Sequence, residues 1–404
     1  MFRKLKVKKP EGALLWLIFS VAVLSTISFL NINKPPHSDE KHFVETIKLF
    51  YNNFSLSTLK DYPEISTPLF YYIYALWAKV FGFSLESLRI FNTLIALFCW
   101  QLIYRLFKLV TQNIKHAFLL SLLIIVNPYI IGLSFYVYND NLNLLLLLAA
   151  ILAFIKDRAI LMSIFFSLAV LTRQYSVVFP LTMTLYSLLI FFLQNKENNK
   201  YIFASVLSLI PLLVLIVIWE GLAPKSGEEL WIVENRSIYN IDYINSYISF
   251  SFIYAFPLVM FFIIRKGFDK NIFLLSMVLS IILSLFPIKP SLATLSQKDV
   301  FTIGYAHKYL VMLFGYETLL LKTVLFLFLF FGSYVTISLG KNLFWELKNR
   351  YLNNMSVFPL LWFFFLIIMP FSFQVWEKYL VMILPFYTLS VYAQLKSDKL
   401  FSTV

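Results

Sequence analysis

The sequence predicts an all-α protein that crosses a membrane many times, and three observations predict it. Hydrophobic residues make up 60% of the 404-residue chain and charged residues only 14%, against roughly 25% in soluble domains. The apolar residues come in runs of about the length of membrane helices, separated by short polar or basic gaps. The short alternating segments of a membrane β-barrel are absent.

The first element sets the orientation. Arg3, Lys4, Lys6, Lys8 and Lys9 precede an apolar helix over 13–30, so the N-terminus is expected on the cytoplasmic side. That run ends in Asn31-Ile32-Asn33-Lys34-Pro35-Pro36, with no small-residue cleavage site, and reads as a retained signal-anchor. The segment 31–86 follows as the first extracytoplasmic loop. His42, Glu45, Thr46 and Leu49 recur there at helical spacing, and 69–82 is rich in aromatic residues, as amphipathic helices at a membrane interface are.

Further spans are expected near 87–108, 117–133, 141–155, 159–172, 175–193, 201–219, 247–264, 271–287, 323–340, 356–371 and 380–394. With the first they make about twelve and return the C-terminus to the cytoplasm. Several fall short of the roughly 20 residues a full crossing needs. Those at 141–155 and 159–172 read as broken spans or as cavity-lining helices. Charge supports this topology: the segments assigned inside hold 20 of the 34 Lys and Arg residues, although they are the shorter share of the chain. The acids collect in the outer loops.

Composition and motifs remove several functions. The net charge of +13 is scattered among loops between helices, which does not fit nucleic-acid binding. The single cysteine, Cys99, allows no internal disulfide. No Walker loop, dinucleotide glycine pattern, His/Cys metal spacing or Gly-x-Ser-x-Gly elbow is present. No polar stretch is long enough for an appended soluble domain, so the chain reads as a single transmembrane domain over 1–404.

The chemistry-bearing residues lie in the outer loops. Pro36-His37-Ser38-Asp39-Glu40-Lys41-His42-Phe43 holds two of the four histidines and two adjacent acids. Two readings are open at this point: Asp39 and Glu40 cap a helix, or they act on a substrate. Arg173-Gln174 sits between two short spans. Its guanidinium either snorkels to the interface or grips a phosphate. Asp140, in Tyr138-Asn139-Asp140-Asn141, is a loop turn, a sugar-orienting acid or the partner of a cation. Ala306-His307-Lys308-Tyr309 and Trp376-Glu377-Lys378-Tyr379 each join aromatic and cationic residues, as interface anchors do. Arg173, His307, Lys308 and Lys378 also form a set suited to a departing phosphate.

Several of these fragments, in order, resemble one family. Ser38-Asp39-Glu40-Lys41-His42-Phe43, Ile65-Ser66-Thr67-Pro68-Leu69-Phe70-Tyr71, Leu88-Arg89-Ile90-Phe91-Asn92, Tyr138-Asn139-Asp140, Arg173-Gln174 and Glu377-Lys378-Tyr379 before Leu384-Pro385 are similar to motifs of the GT-C superfamily. These are polyprenyl-phosphate-sugar-dependent glycosyltransferases, and the likeness is greatest to the dolichyl-phosphate-glucose α-1,2-glucosyltransferase family of lipid-linked oligosaccharide assembly. There are departures. The family's Pro-Gly after Thr-Thr-Pro is missing, and its Gly-Asp-Lys/Arg-Ser-Asn-His loop has only an echo in Gln297-Lys298-Asp299 and His307.

The resemblance implies an inverting hexosyltransferase, glucose favoured, acting at the extracytoplasmic face of the membrane. Its partners would be a polyprenyl-phosphate sugar donor, a lipid-linked glycan acceptor and membrane lipids. Asp39 would be the base, with Glu40 beside it as a structural or acceptor-orienting acid. Arg173, Lys378, His307 and Lys308 would hold the donor phosphate. His42, Asp140, Gln174 and Glu377 would orient substrate. No cofactor and no metal is implied, because phosphate departs as an anion. Within the superfamily, a protein O-mannosyltransferase-like or lipid A aminoarabinose transferase-like enzyme is the alternative. From another class, a lipid-linked oligosaccharide flippase would show paired charges in the middle of several helices.

Overall fold

The computed structural model describes residues 11–195, 198–230, 239–290 and 301–401. Among them every regular element is helical, and the chain divides into two compact units. One comprises residues 1–187 and 198–232, the other 188–197 and 233–404. The basic N-terminal residues and the Gln297-Lys298-Asp299 echo lie outside the described residues.

In the first unit the expected first span is helix α1 (Glu11–Asn31). The loop after it folds into α2 (Glu40–Asn52), α3 (Leu56–Lys60) and α4 (Leu69–Phe81). Then come α5 (Leu85–Thr111), α6 (Ile114–Ile125), α7 (Pro128–Leu133), α8 (Asn139–Ile155) and α9 (Ala159–Thr172). Starts are set by side chains that satisfy the free N–H groups of a helix's first turn. Ser55, Ser84, Asn113 and Asn127 each accept from an amide of the helix they precede. Pro128 then occupies the first position of α7, where its missing N–H costs nothing.

Packing in this unit joins apolar faces with a few buried polar ties. Trp16 of α1 is fully buried, stacks on Tyr104 of α5 with ring centroids 5.4 Å apart, and donates its Nε1–H to the Trp100 carbonyl at 3.0 Å. Asn92 of α5 is buried and joins three segments. It accepts from the Tyr74 hydroxyl of α4 at 2.7 Å and donates to the carbonyls of Leu133 and Tyr136 at 2.7 and 2.6 Å. The Leu133 carbonyl is the last of α7, where a helix end leaves acceptors without intrahelical donors, and Tyr136 lies in the turn after it.

In the second unit, Ile241–Tyr254 and Phe256–Lys266 are joined at Ala255 with an 84° bend. Pro257 stands in the first turn of the second piece; it lacks an N–H and cannot continue the helix before it. The 247–264 stretch expected as one span is therefore two helices. Leu319–Lys348 is the longest helix, 30 residues, and crosses Ile241–Tyr254 closely at Gly332. A Cβ built there would collide with the Ile248 carbonyl oxygen.

Length sharpens the membrane count. Among the described residues, five helices are long and apolar enough to span, or six with the bent pair. Others expected as spans, among them Ile114–Ile125, Asn139–Ile155, Ala159–Thr172 and Lys270–Ser284, are apolar but have only 10–17 residues. At 1.5 Å per residue, 14 residues rise about 21 Å, short of the roughly 30 Å hydrocarbon core. The expected twelve is not reached by length. α8 is buried along almost its whole circumference, so it faces protein rather than lipid. The chain is an integral, multi-pass membrane protein.

Gly332→Ala is expected to destabilise by about 1–3 kcal/mol, as overpacking a close crossing does. Thermal unfolding in detergent, read by tryptophan fluorescence, tests it against Gly132→Ala, where a Cβ meets nothing within 4 Å. Equal melting temperatures for the two variants would contradict the crossing.

Candidate active site

The first loop is held by one buried ion pair. Glu40 opens α2 and is 0% exposed; Arg89, in the second turn of α5, is 1% exposed. Arg89 grips the carboxylate with two parallel bonds, Nε to Oε1 at 2.9 Å and Nη2 to Oε2 at 2.7 Å. Oε1 also accepts from the Val137 amide at 2.9 Å, and Oε2 from the His37 amide at 3.0 Å. Four donors fill the carboxylate's capacity.

The other donors of Arg89 close the end of α1. Nη1 donates to the carbonyls of Asn31, Ile32 and Lys34 at 3.0, 2.9 and 2.6 Å, and Nη2 to that of Pro35 at 3.2 Å. The Tyr136 ring lies under the guanidinium, 5.2 Å from its centroid. Arg89 thus joins the exit of α1, the start of α2, α5 and the 136–137 strand of chain. Glu40, expected beside Asp39 as a structural or acceptor-orienting acid, is committed to this clamp. A carboxylate with no water contact and no spare lone pair is a structural group.

Asp39 is placed differently. It is half-buried at the N-cap of α2, with φ −66° and ψ −12°, and its side chain makes no capping bond. Its carbonyl starts the helix by accepting from Phe43 at 3.1 Å. Its amide donates to the Tyr138 hydroxyl at 3.1 Å, which in turn donates to the His37 carbonyl at 3.1 Å. Ser38 takes a left-handed φ of 51°, an uncommon conformation for a residue with a Cβ. The loop is fixed by backbone bonds, and the Asp39 carboxylate has no part in starting the helix. His42, one turn on, is half-buried, and His37 stacks on Tyr136 at 5.0 Å.

Tyr138 leads directly to the second charged pair. It is the N-cap of α8, and Asp140 lies in that helix's first turn, where a carboxylate is stabilised by the helix dipole. Arg173 caps the end of α9 and donates from Nη2 to Asp140 Oδ2 at 2.9 Å; both are buried. Tyr175 donates to Asp140 Oδ1 at 3.4 Å, and its ring lies 5.2 Å from the guanidinium. Snorkelling does not describe Arg173. Gln174 donates to the carbonyls of Ile65 and Leu222, fastening the turn after α9 to the loop before α4.

That loop brings in Glu64, a residue the sequence reading counts only among the outer acids. It is 4% exposed. Burial first, then the charge of Glu64, push the Tyr62 and Tyr71 hydroxyls well above the usual phenol range, while Arg173 pulls Tyr71 the other way. Glu64, Tyr71 and Arg173 therefore share one environment. The helix Lys225–Leu230 covers it: Ser226 bonds both oxygens of Asp61 at 2.9 and 2.7 Å, and Gly227 packs on the Glu64 backbone, where a Cβ would stand 2.6 Å from the carbonyl oxygen.

The remaining expected residues belong to the second unit. Glu377 is 1% exposed, and its carboxylate caps the helix Tyr305–Phe314. Oε1 accepts from the His307 amide at 2.7 Å; Oε2 accepts from the Ala306 amide at 3.0 Å and from the Tyr254 hydroxyl. Glu377, expected to orient substrate, is committed to holding this helix start. His307 is 2% exposed, accepts at Nδ1 from the Ile303 amide at 3.2 Å, and burial lowers its pKa to about 4. It is neutral at physiological pH with its proton on Nε2. It can donate a hydrogen bond to a phosphate but brings no positive charge. Lys308 is exposed. Lys378 is half-buried, with its ammonium 6.0 Å from the Trp376 ring centroid.

Among the described residues, no group of three His, Cys, Asp or Glu side chains is placed to hold a metal ion. The first unit therefore presents one half-buried acid on a rigid loop beside a buried Arg–Asp pair.

Residues 63–219 match the family profile described as dolichyl-phosphate-mannose-protein mannosyltransferase. The matched stretch contains Arg89, Tyr138, Asp140, Arg173 and Gln174; it starts beyond Asp39 and ends before His307, Lys308, Glu377 and Lys378. It supports the resemblance at the level of the polyprenyl-phosphate-sugar glycosyltransferases and does not single out the glucosyltransferase family. Among solved structures, the chain is similar to ArnT from Cupriavidus metallidurans in the apo state, at 12% identity over 95% of this chain and 78% of that one, with a TM-score of 0.43. The same protein bound to undecaprenyl phosphate gives 11% identity over the same shares and a TM-score of 0.41. Comparison with curated proteins finds no match.

Glu40→Gln is expected to lower stability by about 3–5 kcal/mol, the usual cost of stranding one partner of a buried ion pair. Combining it with Arg89→Gln should cost less than the sum of the two single changes. A double-mutant cycle on thermal or denaturant unfolding reads this, and additive losses would dissolve the clamp.

Proposed function

We propose that the chain is a GT-C-type glycosyltransferase that moves a sugar from a polyprenyl-phosphate donor to an acceptor hydroxyl at the extracytoplasmic membrane face. The observation that carries this reading is the family match over 63–219, because that stretch holds the buried Arg173–Asp140 pair and the Tyr138 hydroxyl on which Asp39 rests. The reading assigns the reaction as an inverting displacement. The acceptor oxygen bonds to the anomeric carbon, the bond from that carbon to the phosphate oxygen breaks, and Asp39 takes the hydroxyl proton. The phosphate leaves with the electron pair and needs no acid.

Arg173 supports the phosphate with its guanidinium, whose planar fork and fixed charge suit phosphate oxygens. Asp140 keeps that fork aimed, and Gln174 fastens its turn. Arg89 and Glu40 act through the backbone as positioning residues for Asp39. Lys308 and Lys378 keep the phosphate role that their sequence context suggests; His307 keeps only a neutral donor's part. The reading itself rests on the first unit.

Two sugars stand level. The resemblance of the outer-loop motifs favours glucose transfer to a lipid-linked glycan. The family match favours a mannosyltransferase-like reaction on a protein hydroxyl, and an aminoarabinose transferase-like enzyme stays with it as an alternative of the same superfamily. The transporter alternative loses ground to a specific observation. Both buried ion pairs found among the described residues, Arg89–Glu40 and Arg173–Asp140, lie at helix ends rather than in mid-helix.

The test is a donor screen with purified protein, offering glucose, mannose, galactose and aminoarabinose on polyprenyl phosphate, with mass detection of product. Asp39→Asn is expected to lose nearly all turnover and keep donor binding; wild-type turnover in that variant would end its assignment as the base. Arg173→Ala should weaken donor affinity by tenfold or more, roughly the worth of one charge-assisted bond. Unchanged donor affinity and turnover would return Arg173 to a purely structural role.

A further inference from the structure

The amphipathic helices of the first loop carry a second feature that the transfer reaction does not use. Between α2, α3 and α4 lies an apolar groove of about 330 Å³, lined by Phe50, Phe54, Leu56, Leu59, Leu69 and Leu171 among others. It opens at exposed side chains of its own lining: Leu56 is 69% exposed and Tyr72 44%. Exposed side chains of this size beside an open groove are costly against water and normal against lipid.

The rim of the groove is basic. Lys79 of α4 sets its ammonium 4.2 Å from the centroid of Phe54, a groove-lining ring that Tyr72 also meets edge-on at 4.6 Å. Lys60 ends α3, directly after the lining residue Leu59, and is exposed. The nearest acid in sequence, Asp61, is hydrogen-bonded to Ser226 through both its oxygens and is not among the groove's lining residues. An apolar slot with ammonium groups at its mouth is complementary to a molecule with a hydrocarbon chain and an anionic head.

We propose that this groove is a binding site for an anionic phospholipid of the surrounding bilayer. One acyl chain enters among Phe50, Phe54, Leu59 and Leu69, and the phosphate head lies between Lys60 and Lys79. The site ties the amphipathic helices to the membrane surface and selects for anionic bilayers. The proposal rests on the membrane assignment and on this groove, and it stands whether or not the chain transfers sugar.

The test uses the full-length protein in phosphatidylcholine nanodiscs that contain a minor share of phosphatidylglycerol with a photoreactive acyl chain. Cross-linked peptides are mapped by mass spectrometry. Labelling is expected to concentrate on residues 50–72 and to be competed by unlabelled phosphatidylglycerol but not by added phosphatidylcholine. Lys60→Gln with Lys79→Gln should reduce labelling there about 30-fold, on the scale of two surface lysines facing an anionic head. Both lysines are exposed, so this variant folds, and a melting curve confirms it. Leu69→Trp, which fills the groove, should abolish the labelling. The proposal is overturned by labelling spread evenly over the apolar helices, by equal competition from phosphatidylcholine, or by wild-type labelling of the double-lysine variant. Displacement by polyprenyl phosphate at lower concentration than by phosphatidylglycerol overturns it too, and gives the groove to the sugar donor.

Discussion

The first unit depends on one guanidinium. Arg89 spends two donors on Glu40 and turns the rest to four carbonyls at the exit of α1. Those carbonyls belong to the last residue of α1 and to three of the four that follow it, where no further helical turn supplies donors. The clamp therefore solves two problems at once. It satisfies the end of a membrane helix, and it fixes the loop on which Asp39 stands. The geometry leaves Asp39 little freedom of backbone movement, because its own amide is tied to Tyr138 and its neighbours on both sides are tied to the clamp.

The same division of labour recurs in the second unit. There Glu377 is buried and committed to the start of a helix, while Lys378, the next residue, stays half-exposed. In Asp39-Glu40 and in Glu377-Lys378, one member of a charged dipeptide anchors the backbone and the other remains beside it at the surface of the fold. A buried carboxylate costs too much to leave without partners. Once its partners are in place, the adjacent residue inherits a fixed position. That is a physical route from a structural residue to a functional one.

Sequence patterns carried the helices far. The first span, read as 13–30, is Glu11–Asn31, and the stretch around 87–108 is Leu85–Thr111. Hydropathy alone did not find the sharp break at Ala255, although Pro257 marks it. It also does not tell a helix buried inside protein from one facing lipid, since both are apolar; α8 is the case in point. The site was legible in its residue types and not in its pairings. Glu40 meets Arg89 across 49 positions, and His307 meets Glu377 across 70. No local period reports such a partner, so the sequence shows Glu40, Glu377 and Arg89 as members of motifs without showing what each one holds. The burial of Glu64 is illegible for the same reason, since Gly227, which packs on its backbone, stands 163 positions away.

The clamp also imposes an order in time. The exit of α1 and the start of α2 emerge early in synthesis, yet their final shape needs Arg89 and then the Val137 amide. The Asp39 loop must therefore wait on the membrane surface, unfinished, until α5 has been inserted and the chain has been made as far as α8. Assembly of this fold is gated by the arrival of two later segments at an earlier one, against the general tendency of chains to settle from the N-terminus onward.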